Sequence, residues 1–226
     1  IIYGKGTKLL TKKSITLNAR NSGTLGRLIL GMNINLERKI KLIGDNSLSK
    51  RDFSRITEPL KRFGAKFISK NNSLPLTMIG TENPKPINYI ENRGSAQCKS
   101  SVMLAALKTN GKTFIKAKKS RNHTELLFKY LKIPINIKKT KKYDYISVQG
   151  KKKIKNINYK IPGDISSGAF FLVLTLLSKN SKLLIKDINV NPSRIGIIKI
   201  LKRMGAKILI KNKRIYKGEF MADIFI

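Results

Sequence analysis

Apolar and polar positions alternate along this chain in blocks, and the same order of blocks comes round three times. From Asn21 the pattern reads as a small-residue turn, an apolar helix over Leu25 to Met32, and a strand around Lys39–Ile43. A polar turn with Ser49-Lys50-Arg51 follows, then a helix from Phe53 to Phe63. The phrase Leu60-Lys61-Arg62-Phe63-Gly64-Ala65-Lys66 leads into the next strand. The second block opens at Ser95, with an apolar helix from Lys99 to Leu107 and a strand Thr113–Ala117. Its turn carries Ser120-Arg121-Asn122-His123, before a helix Thr124–Leu131 and a strand Ile133–Ile137. The third opens at Gly163, with a helix Ala169–Leu177, a strand Leu183–Ile188, a turn with Pro192-Ser193-Arg194 and a helix Ile195–Met204. It then repeats the earlier phrase as Leu201-Lys202-Arg203-Met204-Gly205-Ala206-Lys207.

Three properties of the blocks set expectations for the fold. The first helix of each is apolar nearly all round, which predicts burial rather than an amphipathic surface position. Gly64 and Gly205 stand where a helix C-terminus takes a left-handed residue. Between blocks lie turn-punctuated β-type connectors, Leu74–Ile79 and Tyr143–Gly150 with Asn158–Ile161. The sum is a mixed α/β (α+β) chain of repeated βαβαββ units. Its helices should pack in the middle, with the sheets facing outward.

Composition adds limits. With 226 residues, 41% hydrophobic and 7% aromatic, the chain can bury a real core. A net charge of +36 suggests anionic partners of some kind. Lys and Arg are spread evenly and mixed with Ile and Asn, however, as an AT-biased genome would encode, and no basic arm stands out. Neither nucleic acid nor a membrane is expected as a partner. The single cysteine, Cys98, and single histidine, His123, exclude an internal disulfide and a Cys- or His-cluster metal site. The longest apolar run, Ala169 to Leu177, is about half of a bilayer span, no signal-peptide pattern is visible, and a cytoplasmic location is expected. The sequence begins at Ile1 and ends at Ile226 in strand-like residues, so it is read as an internal fragment of a longer protein.

The candidate chemistry sits at the block openings. Asn21-Ser22-Gly23-Thr24 offers bare backbone N–H groups and hydroxyls at a helix N-terminus, which suit a phosphate or carboxylate. Ordinary N-capping explains the same residues. Ser95-Ala96-Gln97 occupies the equivalent place, with Lys99 either adding charge or solvated, and with Cys98 as a small buried residue rather than a nucleophile. Asp164-Ile165-Ser166-Ser167 is read as a structural cap. Arg51, Arg121 and Arg194 fall at matching places after the middle strand, where a guanidinium can fork onto an anion. His123 reads as a turn-fixing histidine rather than a base. No pair of carboxylates shows catalytic spacing among the 12 Asp and Glu residues.

Taken in order, Asn21-Ser22-Gly23-Thr24-Leu25-Gly26-Arg27-Leu28, Gly44-Asp45-Asn46-Ser47-Leu48-Ser49-Lys50-Arg51, Ser95-Ala96-Gln97-Cys98-Lys99-Ser100, Ser120-Arg121-Asn122-His123-Thr124-Glu125 and Pro162-Gly163-Asp164-Ile165-Ser166-Ser167 resemble the enolpyruvyl transferase family. Within it they are most similar to the 5-enolpyruvylshikimate-3-phosphate (EPSP) synthases of the second class. The resemblance spans nearly the whole chain. It implies two lobes of three βαβαββ units each, an inside-out α/β barrel that is incomplete here. Residues 1–162 would belong to one lobe and 163–226 to the other. It implies transfer of the enolpyruvyl group of phosphoenolpyruvate to the 5-hydroxyl of shikimate 3-phosphate with release of phosphate, by a monomer with no metal or organic cofactor.

By the same resemblance, Asn21, Gly23, Arg51 and Gln97 would face phosphoenolpyruvate. Thr24, Ser95, Ala96, Gln97 and Arg121 would face shikimate 3-phosphate. Arg27 is a motif residue with no ligand contact assigned. The catalytic Asp and Glu are expected beyond Ile226, so this piece should bind poorly and catalyse nothing. Three departures stand out: Asp52 replaces a usual proline and could pull on Arg51, Asn122 replaces an Asp, and Ser22 replaces a common Ala. Gly23 leaves room for the inhibitor glyphosate. Two other functions fit parts of the pattern: the sister enzyme acting on UDP-N-acetylglucosamine, and a basic RNA-binding or RNA-end-processing module built from similar units.

Overall fold

The computed structural model describes residues 14–151, 154 and 156–226. In chain order the elements are β1 (Ile15–Asn18), α1 (Gly23–Met32), β2 (Lys39–Ile43), α2 (Asn46–Ser49), α3 (Ser54–Arg62), β3 (Lys66–Ser69) and β4 (Leu76–Ile79). Then come β5 (Asn88–Glu91), α4 (Ala96–Ala106), β6 (Lys112–Lys118), α5 (His123–Tyr130), β7 (Ile135–Lys139) and β8 (Tyr143–Gln149). The rest is α6 (Ile165–Leu177), β9 (Leu184–Asn189), α7 (Gly196–Arg203), β10 (Leu209–Tyr216) and β11 (Glu219–Phe225).

The threefold repeat of the sequence is a threefold repeat of topology. Two four-stranded sheets have the orders β1-β2-β4-β3 and β5-β6-β8-β7, and in each the outer pair β1–β2 or β5–β6 is parallel. The third sheet, β10-β11-β9, repeats the last three positions of that order. The missing first strand is reduced there to one parallel bridge, Gly163 to Ile188. Parallel neighbours need a crossover, and α1 and α4 supply it.

Two compact units emerge from the contacts: residues 14–119 with 136–151, and residues 120–135 with 154 and 156–226. In the N-terminal unit, α4 is the central element. Eight of its eleven residues are buried, among them Cys98, Val102 and Met103, and both α1 and α3 pack on it. Gly31 of α1 meets it backbone to side: a Cβ there would stand 2.2 Å from the Ser101 carbonyl oxygen. In the C-terminal unit, Ile165, Leu172, Ile188, Ile198, Leu201, Ile208 and Ile224 form the core.

Several expectations change. α4 is buried as its composition predicts, but α6 is not: Ile165, Gly168 and Leu172, at helical spacing, are its buried face, while Phe170 and Leu177 remain about 80% exposed. α1 is intermediate, with Leu25 and Met32 half exposed. An apolar composition all round removes the directional signal, so it cannot say how many faces a helix covers. Residues 158–161 form no strand; the Lys160 N–H donates instead to the Tyr216 hydroxyl at 3.1 Å. The strand expected from Ile133 begins at Ile135, after Lys132 takes a left-handed turn at φ 55°. Gly64 and Gly205 do terminate their helices with φ of 111° and 93°.

A polar cluster at the N-termini of α1 and α4

Local chemistry builds the site from two helix openings and one turn, all in the N-terminal unit. At the first opening, the Ser22 hydroxyl accepts from the Leu25 N–H at 3.1 Å, so the serine is the N-cap and leaves Gly23 as the first helical residue. The Asn21 amide donates to Asp45 Oδ2 at 2.5 Å. Asp45 in turn caps α2, accepting from the Leu48 N–H at 2.7 Å. That backbone bond first, and the Asn21 bond second, hold the Asp45 carboxyl below its usual range. The turn that ends α2 delivers Arg51 to the same place: a Cβ on Gly23 would lie 3.3 Å from Arg51 Nη1 and 2.8 Å from Arg27 Nη1.

The second opening is organised from beneath. Glu91, buried at the end of β5, accepts from the Arg93 N–H at 3.1 Å, the Gly94 N–H at 2.6 Å and the Ser95 N–H at 3.0 Å. This cradle shapes the loop with Gly94 at φ 73° and sets Ser95 as the N-cap of α4, its hydroxyl accepting from the Cys98 N–H at 3.3 Å. Ala96 is then the first residue of α4 and Gln97 the second. The Gln97 amide bridges the two helices: Nε2 donates to Thr24 Oγ1 at 2.6 Å, and Oε1 accepts from Arg27 Nη1 at 2.6 Å.

The electrostatics are strongly cationic. Arg27 is pressed below the usual arginine value by burial first, which outweighs the opposing contribution of Cys98, with lesser lowering from Arg51 and Arg55 and a small raising contribution from Asp52. Its guanidinium also lies 5.5 Å from the Phe53 ring centre. Guanidiniums crowded at two helix N-termini, with their exposed N–H groups, favour a bound anion.

The structure thus brings Asn21, Gly23, Thr24, Arg51, Ser95, Ala96 and Gln97 into one unit, with direct contacts linking Thr24 to Gln97. Arg121 falls in the C-terminal unit, in the loop before α5. That loop is fixed by its neighbours: Asn122 Oδ1 accepts from Asn191 Nδ2 at 2.9 Å, and His123 Nδ1 lies 2.6 Å from Glu219 Oε1. Burial works against ionisation of Glu219. The bonds from His123, Asn189 and Asn191 outweigh it and leave the carboxyl below the usual range. His123 is therefore a turn-fixing residue. Arg194 is tied to its own cap, donating to Asp164 and to Ser166 Oγ at 2.5 Å, so the third opening is closed on itself.

Two sequence expectations, for Lys99 and Asp52, are revised here, and that for Cys98 is met. Lys99 is fully buried, so it is not solvated. Asp52 accepts from the Ser54 N–H at 2.7 Å and the Ser54 hydroxyl at 2.6 Å, capping α3 rather than pulling on Arg51. Cys98 is 2% exposed and burial raises its thiol pKa, which suits a packing residue. Residues missed by sequence reasoning are Glu91, Arg27 as a bridge, and Glu219. For Glu91 a signal existed in principle, a lone acid four residues before an N-cap in a basic chain.

The sequence model of the EPSP synthase (3-phosphoshikimate 1-carboxyvinyltransferase) family matches residues 1–220. The chain belongs to this family. Among its relatives, the 3-phosphoshikimate 1-carboxyvinyltransferase of Petrotoga mobilis is 38% identical over the whole of this chain and 52% of the relative. That of Caldicellulosiruptor bescii is 42% identical over 99% of this chain and again 52% of the relative. A solved EPSP synthase from Acinetobacter baumannii superposes with a TM-score of 0.78 at 34% identity, over 95% of this chain and 47% of that one. The EPSP synthase fold is therefore the fold of this chain, and the chain spans about half the length of the relatives it matches. Among the described residues, no cluster of His, Cys, Asp or Glu is suited to a metal ion, and no helix is long and apolar enough to cross a membrane.

Proposed function

We propose that this chain is the substrate-gripping part of an EPSP synthase, which transfers the enolpyruvyl group of phosphoenolpyruvate to the 5-hydroxyl of shikimate 3-phosphate and releases phosphate. The observation that carries the reading is the polar cluster at the openings of α1 and α4, where Arg27 and Arg51 lie against the bare backbone of Gly23 and the Gln97 amide joins Arg27 to Thr24. Asn21, Gly23, Arg51 and Gln97 are assigned to phosphoenolpyruvate. Thr24, Ser95, Ala96, Gln97 and Arg121 are assigned to shikimate 3-phosphate. Both substrates are anions, and donors fixed in advance stabilise developing charge without reorganising.

The groups that move protons are assigned to residues outside 1–226, and the division between lobes to the neighbourhood of Pro162. The location is the cytoplasm, and the partners are the two small anions acting on a monomer. The family match favours shikimate 3-phosphate over a UDP-sugar as acceptor.

The test is phosphate release by the full-length protein that carries these residues. Release should require both substrates. Arg51→Ala should raise the KM for phosphoenolpyruvate, and Arg121→Ala the KM for shikimate 3-phosphate, each by about tenfold or more, the scale of a charged hydrogen bond. Release that proceeds without shikimate 3-phosphate, or unchanged KM values in both variants, would overturn the assignment. The 226-residue chain alone should release none.

A further inference from the structure

We propose that Arg27 is a positioning residue that sets the polarity of the Gln97 amide, and through it makes Gln97 and Thr24 donors toward the anionic ligands. The inference rests on the proposed function above for what is bound, but its geometry stands on its own.

A glutamine side chain can present either its oxygen or its nitrogen in a given direction. A guanidinium has donors only. With Arg27 Nη1 2.6 Å from the Gln97 amide, the atom facing Arg27 must be the oxygen. The nitrogen then faces Thr24, whose Oγ1 accepts one of its protons at 2.6 Å. One Nε2 proton is left over, and the Thr24 hydroxyl, having accepted, keeps its own proton to donate. A directional series results: arginine to amide oxygen, amide nitrogen to hydroxyl, with the spare protons on Gln97 and Thr24 left for the ligand. Every group in it ends as a donor, which is what a phosphate, a carboxylate or a bound hydroxyl oxygen requires.

Arg27 is well placed to hold that polarity. It sits on α1 one turn after Gly23 and Thr24, so its side chain returns along the same helix face. Its guanidinium lies over Phe53, and the Ser101 hydroxyl of α4 donates to its carbonyl oxygen at 2.9 Å. Replace Arg27 with methionine and the amide is free to turn over. Its oxygen can then accept from Thr24 and present lone pairs to an anion.

The chain contains two glutamines, Gln97 and Gln149, so glutamine-selective side-chain 15N labelling of the 226-residue chain gives two amide resonance pairs, one of them an internal control. Arg27→Met should move the Gln97 pair and leave that of Gln149 in place. In the full-length protein, Arg27→Met should raise the KM for the anionic substrates about tenfold, with a smaller change in kcat. Arg27→Lys, another donor-only cation, should recover much of the loss. In the Gln97→Ala background, Arg27→Met should add little, because it acts through the residue already removed. A Gln97 resonance unmoved by Arg27→Met, or KM effects that simply multiply in the double variant, would overturn the proposal; multiplying effects would mark Arg27 as a direct ligand contact. A wild-type protein that releases no phosphate with both substrates would overturn the proposed function instead, and the resonances alone would then judge the relay.

Discussion

The close approach of α1 to α4 makes a sharp prediction about two glycines on one helix. A Cβ added at Gly31 would stand 2.2 Å from the Ser101 carbonyl oxygen and 2.7 Å from its hydroxyl, whereas one added at Gly26 meets Leu42 and Phe53 at 3.5 Å. Non-bonded carbons rest at about 3.5 Å, so the first is an overlap of about 1 Å and the second an ordinary contact. The obstacle at Gly31 is backbone, so no rotamer change relieves it, and the helices must move apart. Overpacking of this kind costs about 1–3 kcal/mol, and the upper end applies. Alanine returns about 1 kcal/mol of helix propensity at either site. Gly31→Ala should therefore lose about 2 kcal/mol while Gly26→Ala gains up to about 1 kcal/mol. For a chain of this size the two Tm values should differ by about 6–12 °C. Thermal melts of both variants followed by circular dichroism measure this directly. Melting temperatures within a degree of each other, or a less stable Gly26→Ala, would refute the reasoning.

The site and its supports give three more expectations. Gly23→Ala presses on the far ends of Arg27 and Arg51, which are flexible, so folding should be unaffected. In the full-length protein it should raise the KM for phosphoenolpyruvate and relieve inhibition by glyphosate; equal inhibition of variant and wild type would count against the placing of Gly23. The Glu219 carboxyl is held below its unfolded value of 4.5, so its contribution is fully present above that pH and is lost as pH falls through the lowered folded value. Glu219→Gln should thus cost about 2 kcal/mol near pH 7, with the gap to wild type closing as pH falls through the lowered folded value; urea melts with a constant gap across pH would rule this out. Buried Cys98, with its raised thiol pKa, should react with a disulfide reagent at the rate of unfolding, and modification at the rate of a free thiol would contradict its burial.

Most of the fold was legible because the chain says it three times. The Leu60–Lys66 phrase and its echo at Leu201–Lys207 mark the same helix stop, and Gly64 and Gly205 take the left-handed turn each time. The motif residues of the site were legible as helix openings, since capping chemistry is local. Burial of α6 was not, because a helix with apolar residues on nearly every side carries no preferred direction, and Phe170 and Leu177 read the same as Leu172. Nor was the fate of Lys99 or Asp52. Whether a charged side chain is solvated, or turns back onto a neighbour such as Ser54, depends on what packs beside it.

Arg27 shows why the rest was hidden. Nothing near it in sequence explains it, for its partner is 70 residues away, and Thr24 finds the same amide across 73. What joins them is the packing of α1 on α4, and that packing is set where Gly31 admits the Ser101 backbone. The residue that lets two helices touch and the residues assigned above to the anionic substrates are therefore coupled through the packing of one pair of elements. A methyl group at Gly31 should accordingly be felt at both ends of α1, in the melting temperature and in the Gln97 amide. A purely local view of either glycine or glutamine leaves that link unseen.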